Sequence, residues 1–131
     1  MDRAAYEHYV HCFNARDYDA IFDFYADNPD ISFFGVTIRS REALKSFYGF
    51  LHRYVRETVR IERFASSDEL VAVEGVVRVE GIRDLDQKTL DENKMGGLFP
   101  ISAGQVQEMR QYIHYHLKDG KFASVGCAVV G

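Results

Sequence analysis

From Thr58 onward the chain stops repeating every three to four residues and begins to alternate. In TVRIERF and LVAVEGVVRV, Val71, Val73, Val77 and Val79 share one side, while Glu74, Arg78 and the following Glu80 share the other. An extended backbone points successive side chains to opposite faces, so the pattern describes two half-buried strands. The short polar SSDE between them makes the pair an antiparallel hairpin. A second pair follows, QVQEMRQYIHYHL and KFASVGCAVV, joined by Lys118-Asp119-Gly120-Lys121, and Asp-Gly favours a tight hairpin turn. Four long strands with one apolar face need a second layer to cover it, and the first half of the chain has to supply that layer.

The first half has a helical period. At roughly 100° per residue, Ala5, Tyr6, Tyr9, Val10, Cys12 and Phe13 fall on one arc, and Glu7, His8, His11 and Asn14 fall opposite. Asp2 can cap this helix. Asp17 can cap a second, in which Ile21, Phe24 and Tyr25 form the buried stripe until Asn28-Pro29 stops it. ISFFGVTI, residues 31–38, is a β-rich run broken by Gly35. Ser40 then caps a third helix with Leu44, Phe47, Tyr48, Leu51 and Val55 on one face. Residues 81–104 keep no period and are expected to form a long loop; loops beyond about 12–15 residues in a compact domain are usually covers or disordered. The expected fold class is therefore α+β, with three N-terminal helices packed on a curved, mostly antiparallel sheet that can wrap into a cone.

With 131 residues, 47% of them hydrophobic and 14% aromatic, the chain suffices for one closed core, and residues 1–131 are expected to form one domain. Its net charge is −4 with scattered arginines, which gives nucleic acid no basic surface to follow. No apolar run reaches the roughly 18 residues of a membrane span, and MDRAAYEHYV lacks the features of a signal peptide, so a cytoplasmic protein is expected. In that compartment Cys12 and Cys127 are expected as two reduced thiols.

The element order, together with YVHCFNARDYDAIFDFYAD, IRSREALKSFY and YIHYHLKDGKF, resembles the NTF2-like superfamily in its SnoaL-like and ketosteroid-isomerase-like branches. That resemblance implies a conical half-barrel with a pocket between sheet and helices, often dimeric through the outer sheet face. Its members include isomerases, dehydratases, cyclases, hydrolases and non-catalytic binders, so fold alone does not select among them. In ketosteroid isomerases a first-helix tyrosine bonds the developing oxyanion beside a protonated aspartate, and another aspartate is the base. The tyrosine matches Tyr9, through Tyr9-Val10 and Phe13-Asn14-Ala15, and two supporting tyrosines of some members match Tyr25 and Tyr48. The acids do not carry over: their positions fall on Phe33 and Ile113, neither of which can move a proton, and this counts against steroid isomerase activity.

Tyr9, Tyr25 and Tyr48 either complete a core and satisfy one another's hydrogen bonds, or form a chain that strengthens Tyr9 as a donor to a ligand. Phe33, Phe34, Phe47, Leu51, Val73, Val77, Phe99, Ile113 and Tyr115 are candidate walls of an apolar cavity, although core packing alone would also account for them. His114 and His116 share a strand face that the resemblance turns outward, toward a dimer contact; as a metal pair they lack a third ligand. His8, His11 and His52 are expected on the surface. His52 and the loop acids Asp84, Asp86, Asp91 and Glu92 are the candidates for a replacement base, and Cys12 is expected to be inert packing. The expected function is binding of a small apolar molecule bearing a carbonyl or hydroxyl, with residues 81–100 as a lid. Any catalysis would be a cofactor-independent isomerisation, dehydration or cyclisation, with no metal. The alternative is a non-catalytic module, its cone plugged by its own side chains, that acts through dimerisation or partner binding.

Overall fold

The computed structural model describes residues 1–131. Asp2 begins α1 (Arg3–Asn14), its carboxylate accepting from the Ala5 amide at 2.8 Å. Asp17 does the same for α2 (Tyr18–Phe22) at Ala20, and Ser40 for α3 (Arg41–Leu51) at Ala43. These three caps are the ones the sequence predicts, because a short polar side chain ahead of an apolar stripe satisfies an amide that the helix leaves open.

The second helix is shorter than its pattern suggests. It ends at Phe22, and Tyr25 opens strand β1 (Tyr25–Phe33) instead of closing a helical stripe. Pro29, fully buried, lies within that strand, where the register against its neighbour shifts between Tyr25 and Asp30. A proline cannot donate to a ladder, and an irregular stretch of pairing is where a strand tolerates one. Phe34 and Gly35, both at positive φ, turn the chain into β2 (Val36–Ile38), so ISFFGVTI holds a small hairpin and not one broken strand.

Val55 likewise leaves α3 and begins β3 (Val55–Ser66), followed by β4 (Leu70–Gly81). After residues 82–105 come β5 (Val106–Lys118) and β6 (Lys121–Val129), joined through Asp119 and Gly120, both at positive φ. The six strands form one sheet in the order β2-β1-β6-β5-β4-β3, antiparallel throughout except where β1 runs parallel to β6. The helices and the Tyr115 face of β5 enclose the core, while His114 and His116 stand exposed on the opposite face.

Edge strand β3 is tied to α1 by one side chain. Asn14 donates Nδ2–H to the Val59 carbonyl at 3.1 Å and accepts from the Val59 amide at 2.8 Å, covering the open edge just where α1 ends. Residues 81–104 are not a plain loop. They contain α4 (Gln87–Glu92), capped by Asp86, and Leu85 pairs with Ile101 through two backbone hydrogen bonds of 2.8 and 3.0 Å. Leu85, Leu90, Met95 and Ile101 are buried beneath it. A six-residue helix is too short to display a period, which is why none can be read. Gly97 brings this segment against the β1–β2 turn, where any Cβ would collide with the Phe34 carbonyl.

Candidate active site

Between the helices and the concave face of the sheet lies a cavity of about 150 Å³. Alternation along β5 turns Gln107, Met109, Gln111, Ile113 and Tyr115 toward it, and β3 contributes Val55, Glu57 and Val59. Leu85, Leu98, Phe99 and Ile101 close one end, so the 81–104 segment covers the space with apolar side chains. Phe99 is half-exposed at that rim. The walls are hydrophobic apart from Glu57, Gln107, Gln111 and the phenolic oxygens.

Those phenols are arranged as two hydrogen-bonded pairs and a fifth group apart from them. Tyr9 and Tyr25 hydroxyls lie 3.0 Å apart, and Tyr6 and Tyr115 hydroxyls 2.7 Å apart. The Tyr48 hydroxyl joins neither pair and has no hydrogen-bond partner in the protein. Its ring instead stacks on the His52 imidazole at 5.3 Å. Tyr48 is therefore not part of a three-tyrosine chain. Phe122, fully buried, packs against Tyr115, Tyr9 and Tyr25 with ring centroids 4.5, 5.0 and 5.2 Å away and so fixes four aromatic rings as one wall.

Each pair contains two hydroxyl protons, and its single bond uses one. The second proton of each pair has no acceptor among the protein's side chains. Burial raises the Tyr25 phenol to about 12, against a lesser lowering by its bond to Tyr9, and pushes Tyr6, Tyr9, Tyr48 and Tyr115 up as well. All five therefore stay protonated near neutral pH and remain donors. Gln111, only 5% exposed, adds an amide that lines the cavity and bonds to nothing in the protein.

The acid and histidine placements differ from those expected. His52 is buried, not on the surface: Tyr18 Oη lies 2.7 Å from its Nδ1, and Glu57 Oε1 lies 3.1 Å from its Nε2. None of the four loop acids lines the cavity. Asp86 caps α4, Asp84 accepts from the Ala103 amide, Asp91 accepts from Gln87, and Glu92 is exposed. The carboxylate that does line it is Glu57, which lies in phase with Val55 and Val59 on the apolar side of β3. Val73 is buried core and not cavity wall, whereas Phe33, Phe47, Leu51, Val77, Phe99, Ile113 and Tyr115 line the space together with Tyr9, Tyr25 and Tyr48. Both cysteines are free thiols, Cys12 buried in α1 and Cys127 on the cavity wall.

A model of the SnoaL-like domain family matches residues 6–125, nearly the whole chain and every element that builds the cavity except the first residues of α1 and the last of β6. The chain belongs to the SnoaL-like family. Solved structures agree on the fold. This SnoaL-like domain superposes with a TM-score of 0.74 on a proposed polyketide cyclase from Xanthomonas campestris pv. campestris, at 23% identity over 91% of this chain and 82% of that one. It superposes with a TM-score of 0.76 on a proposed polyketide cyclase from Silicibacter, at 16% identity over 93% and 83% of the two chains. A Mycobacterium tuberculosis LEH-like epoxide hydrolase gives 0.71 at 13% identity over 97% and 80%. No curated protein matches the sequence. The SnoaL-like domain has the NTF2-like α+β architecture, four helices on a six-stranded curved sheet, and none of its helices is long and apolar enough to cross a membrane.

Proposed function

We propose that this SnoaL-like protein binds a small apolar molecule bearing a carbonyl or hydroxyl, and that its chemistry, where it turns the ligand over, is a cofactor-independent isomerisation, dehydration or cyclisation. The supporting observation is a set of uncommitted donors: a largely apolar cavity is lined by Tyr48 and Gln111, whose side chains make no hydrogen bond within the protein, and by two tyrosine pairs, each with one proton left over. No fully buried side-chain donor is left unpaired, so these groups are open to the cavity, where a ligand oxygen can accept from them. Tyr9 and Tyr25 are one donor unit in this scheme, in which either hydroxyl can present the free proton. Two of the structural neighbours are proposed polyketide cyclases, and a polyketide is an oxygen-bearing substrate of the kind such donors suit. The cone is hollow, so the plugged, purely partner-binding alternative has less support. A second copy of the chain would cover the outer sheet face, where Tyr112, His114 and His116 are exposed.

The test separates binding from folding. Replacing Gln111 by Leu, or Tyr48 by Phe, removes a polar group that folding leaves unpaired, so thermal stability should hold or rise. Affinity for 2-tetralone, a bicyclic apolar ketone, should fall about tenfold, roughly 1.4 kcal/mol, in whichever variant removes the donor to its oxygen. Calorimetric affinities unchanged in both variants and in Tyr9→Phe would remove the donor role from this wall.

A further inference from the structure

Glu57 is the only carboxylate on the cavity wall, and its two oxygens have different surroundings. Oε1 is held by His52 at 3.1 Å, while Oε2 takes no hydrogen bond from the protein. The His52 side chain is 3% exposed and that of Glu57 18% exposed, so the imidazole is sealed in the wall while the Glu57 side chain keeps some exposure and lines the cavity. His52 cannot swing away. Tyr18 holds its Nδ1 at 2.7 Å, the Tyr18 ring stacks on it at 15°, and the Tyr48 ring lies against it at 27°. Its backbone is held too, because Arg16 donates to the carbonyls of His52 and Val55 at 3.3 and 3.2 Å, fixing the link from α3 into β3.

This arrangement costs more than packing requires, since a carboxylate in an apolar wall loses hydration and an alanine or valine would fill the position. Other groups in the cavity cannot do what it can. The phenols are held protonated, and burial, followed by the Glu57 charge, raises the Cys127 thiol, so it too keeps its proton. Both nitrogens of His52 are engaged.

We propose that Glu57 is the proton acceptor of the site, acting on a carbon next to the carbonyl of a bound ketone, and that His52 and Tyr18 position it. The proposal rests on the carbonyl-bearing ligand class proposed for the cavity and assigns its chemistry to a residue at neither Phe33 nor Ile113. Oε2 takes a proton from the α-carbon. The C–H bonding pair moves into the carbon–carbon bond, and the carbonyl pair moves onto oxygen, where an uncommitted donor such as the Tyr48 hydroxyl stabilises the charge. Returning the proton to carbon restores the carboxylate. No oxidant, reductant or metal enters this balance.

The experiment follows α-proton exchange of 2-tetralone in D₂O by proton NMR, with affinity measured in parallel by calorimetry. The intact protein should speed exchange above buffer. Glu57→Gln, which keeps the shape and an oxygen for His52, should cut the protein-dependent rate at saturation by about 100-fold or more, with affinity nearly unchanged. His52→Gln should lower the saturated rate about tenfold without weakening binding, a split that loss of structural support alone would not give. If Glu57→Gln fails to fold, Glu57→Asp decides by the same reading: a fall of tenfold or more supports the assignment, and an undiminished rate overturns it. A Glu57→Gln protein that binds and exchanges as fast as the original, or an original protein that binds without speeding exchange, overturns the role of Glu57 and leaves the ligand class standing. Failure of the original protein to bind 2-tetralone overturns both.

Discussion

Replacing Phe122 by alanine is expected to lower the unfolding free energy by about 3–5 kcal/mol, the usual cost of removing a buried aromatic ring and leaving a cavity. Phe122 is fully buried and touches the rings of Tyr9, Phe24, Tyr25 and Tyr115. Both tyrosine pairs lose a common support when it goes. Urea denaturation should show the loss in stability, and 2-tetralone affinity should fall with it because the hydroxyls no longer share a fixed wall. Phe99, half-exposed at the rim, is the control: Phe99→Ala should change stability by about 0.5 kcal/mol or less. Equal effects at the two positions would mean that the aromatic wall is not the stable part of this fold.

Alkaline pH should act on the same wall. Tyr25 has a pKa raised by burial from 10.0 to about 12, so between those values the folded chain holds a proton that the unfolded chain has released. Its contribution to stability is complete below about pH 10 and is lost as pH rises through about 12. Each unit is worth about 1.4 kcal/mol, so this one group accounts for about 3 kcal/mol across that window. Tyr6, Tyr9, Tyr48 and Tyr115 are raised too and steepen the slope. The urea midpoint should therefore drop sharply above about pH 10, with phenolate absorbance from the buried tyrosines appearing together with unfolding. A graded absorbance rise in a protein that stays folded would show that these phenols are open to water.

Much of this architecture is legible in the residues, for physical reasons. Period-two alternation identifies β3 to β6 because one face of each is buried, and Asp2, Asp17 and Ser40 mark helix starts because the caps are local. Tyr25 is misplaced by sequence since Ile21, Phe24 and Tyr25 fit a helical stripe equally well, and only pairing with distant Phe122 in β6 draws Tyr25 into a strand. Leu85 and Ile101 pair across a gap too long for any local pattern to reveal. The polar residues of the site are the instructive case. Glu57 falls in phase with Val55 and Val59, and Gln111 with Met109 and Ile113; a polar residue on the apolar phase of a strand is a signal carried by residue order alone. His52 gives no such signal, because its burial depends on Tyr18 and Glu57 arriving from other elements.

Hydrogen-bond donors left without partners inside a greasy enclosure should prefer a ligand that can accept. The most direct measurement is the calorimetric affinity of 2-tetralone against tetralin, which has the same rings and no carbonyl. The ketone should bind at least about tenfold more tightly, a margin of roughly 1.4 kcal/mol. Equal affinities, or tighter binding of the hydrocarbon, would contradict that preference and the donor-rich site with it.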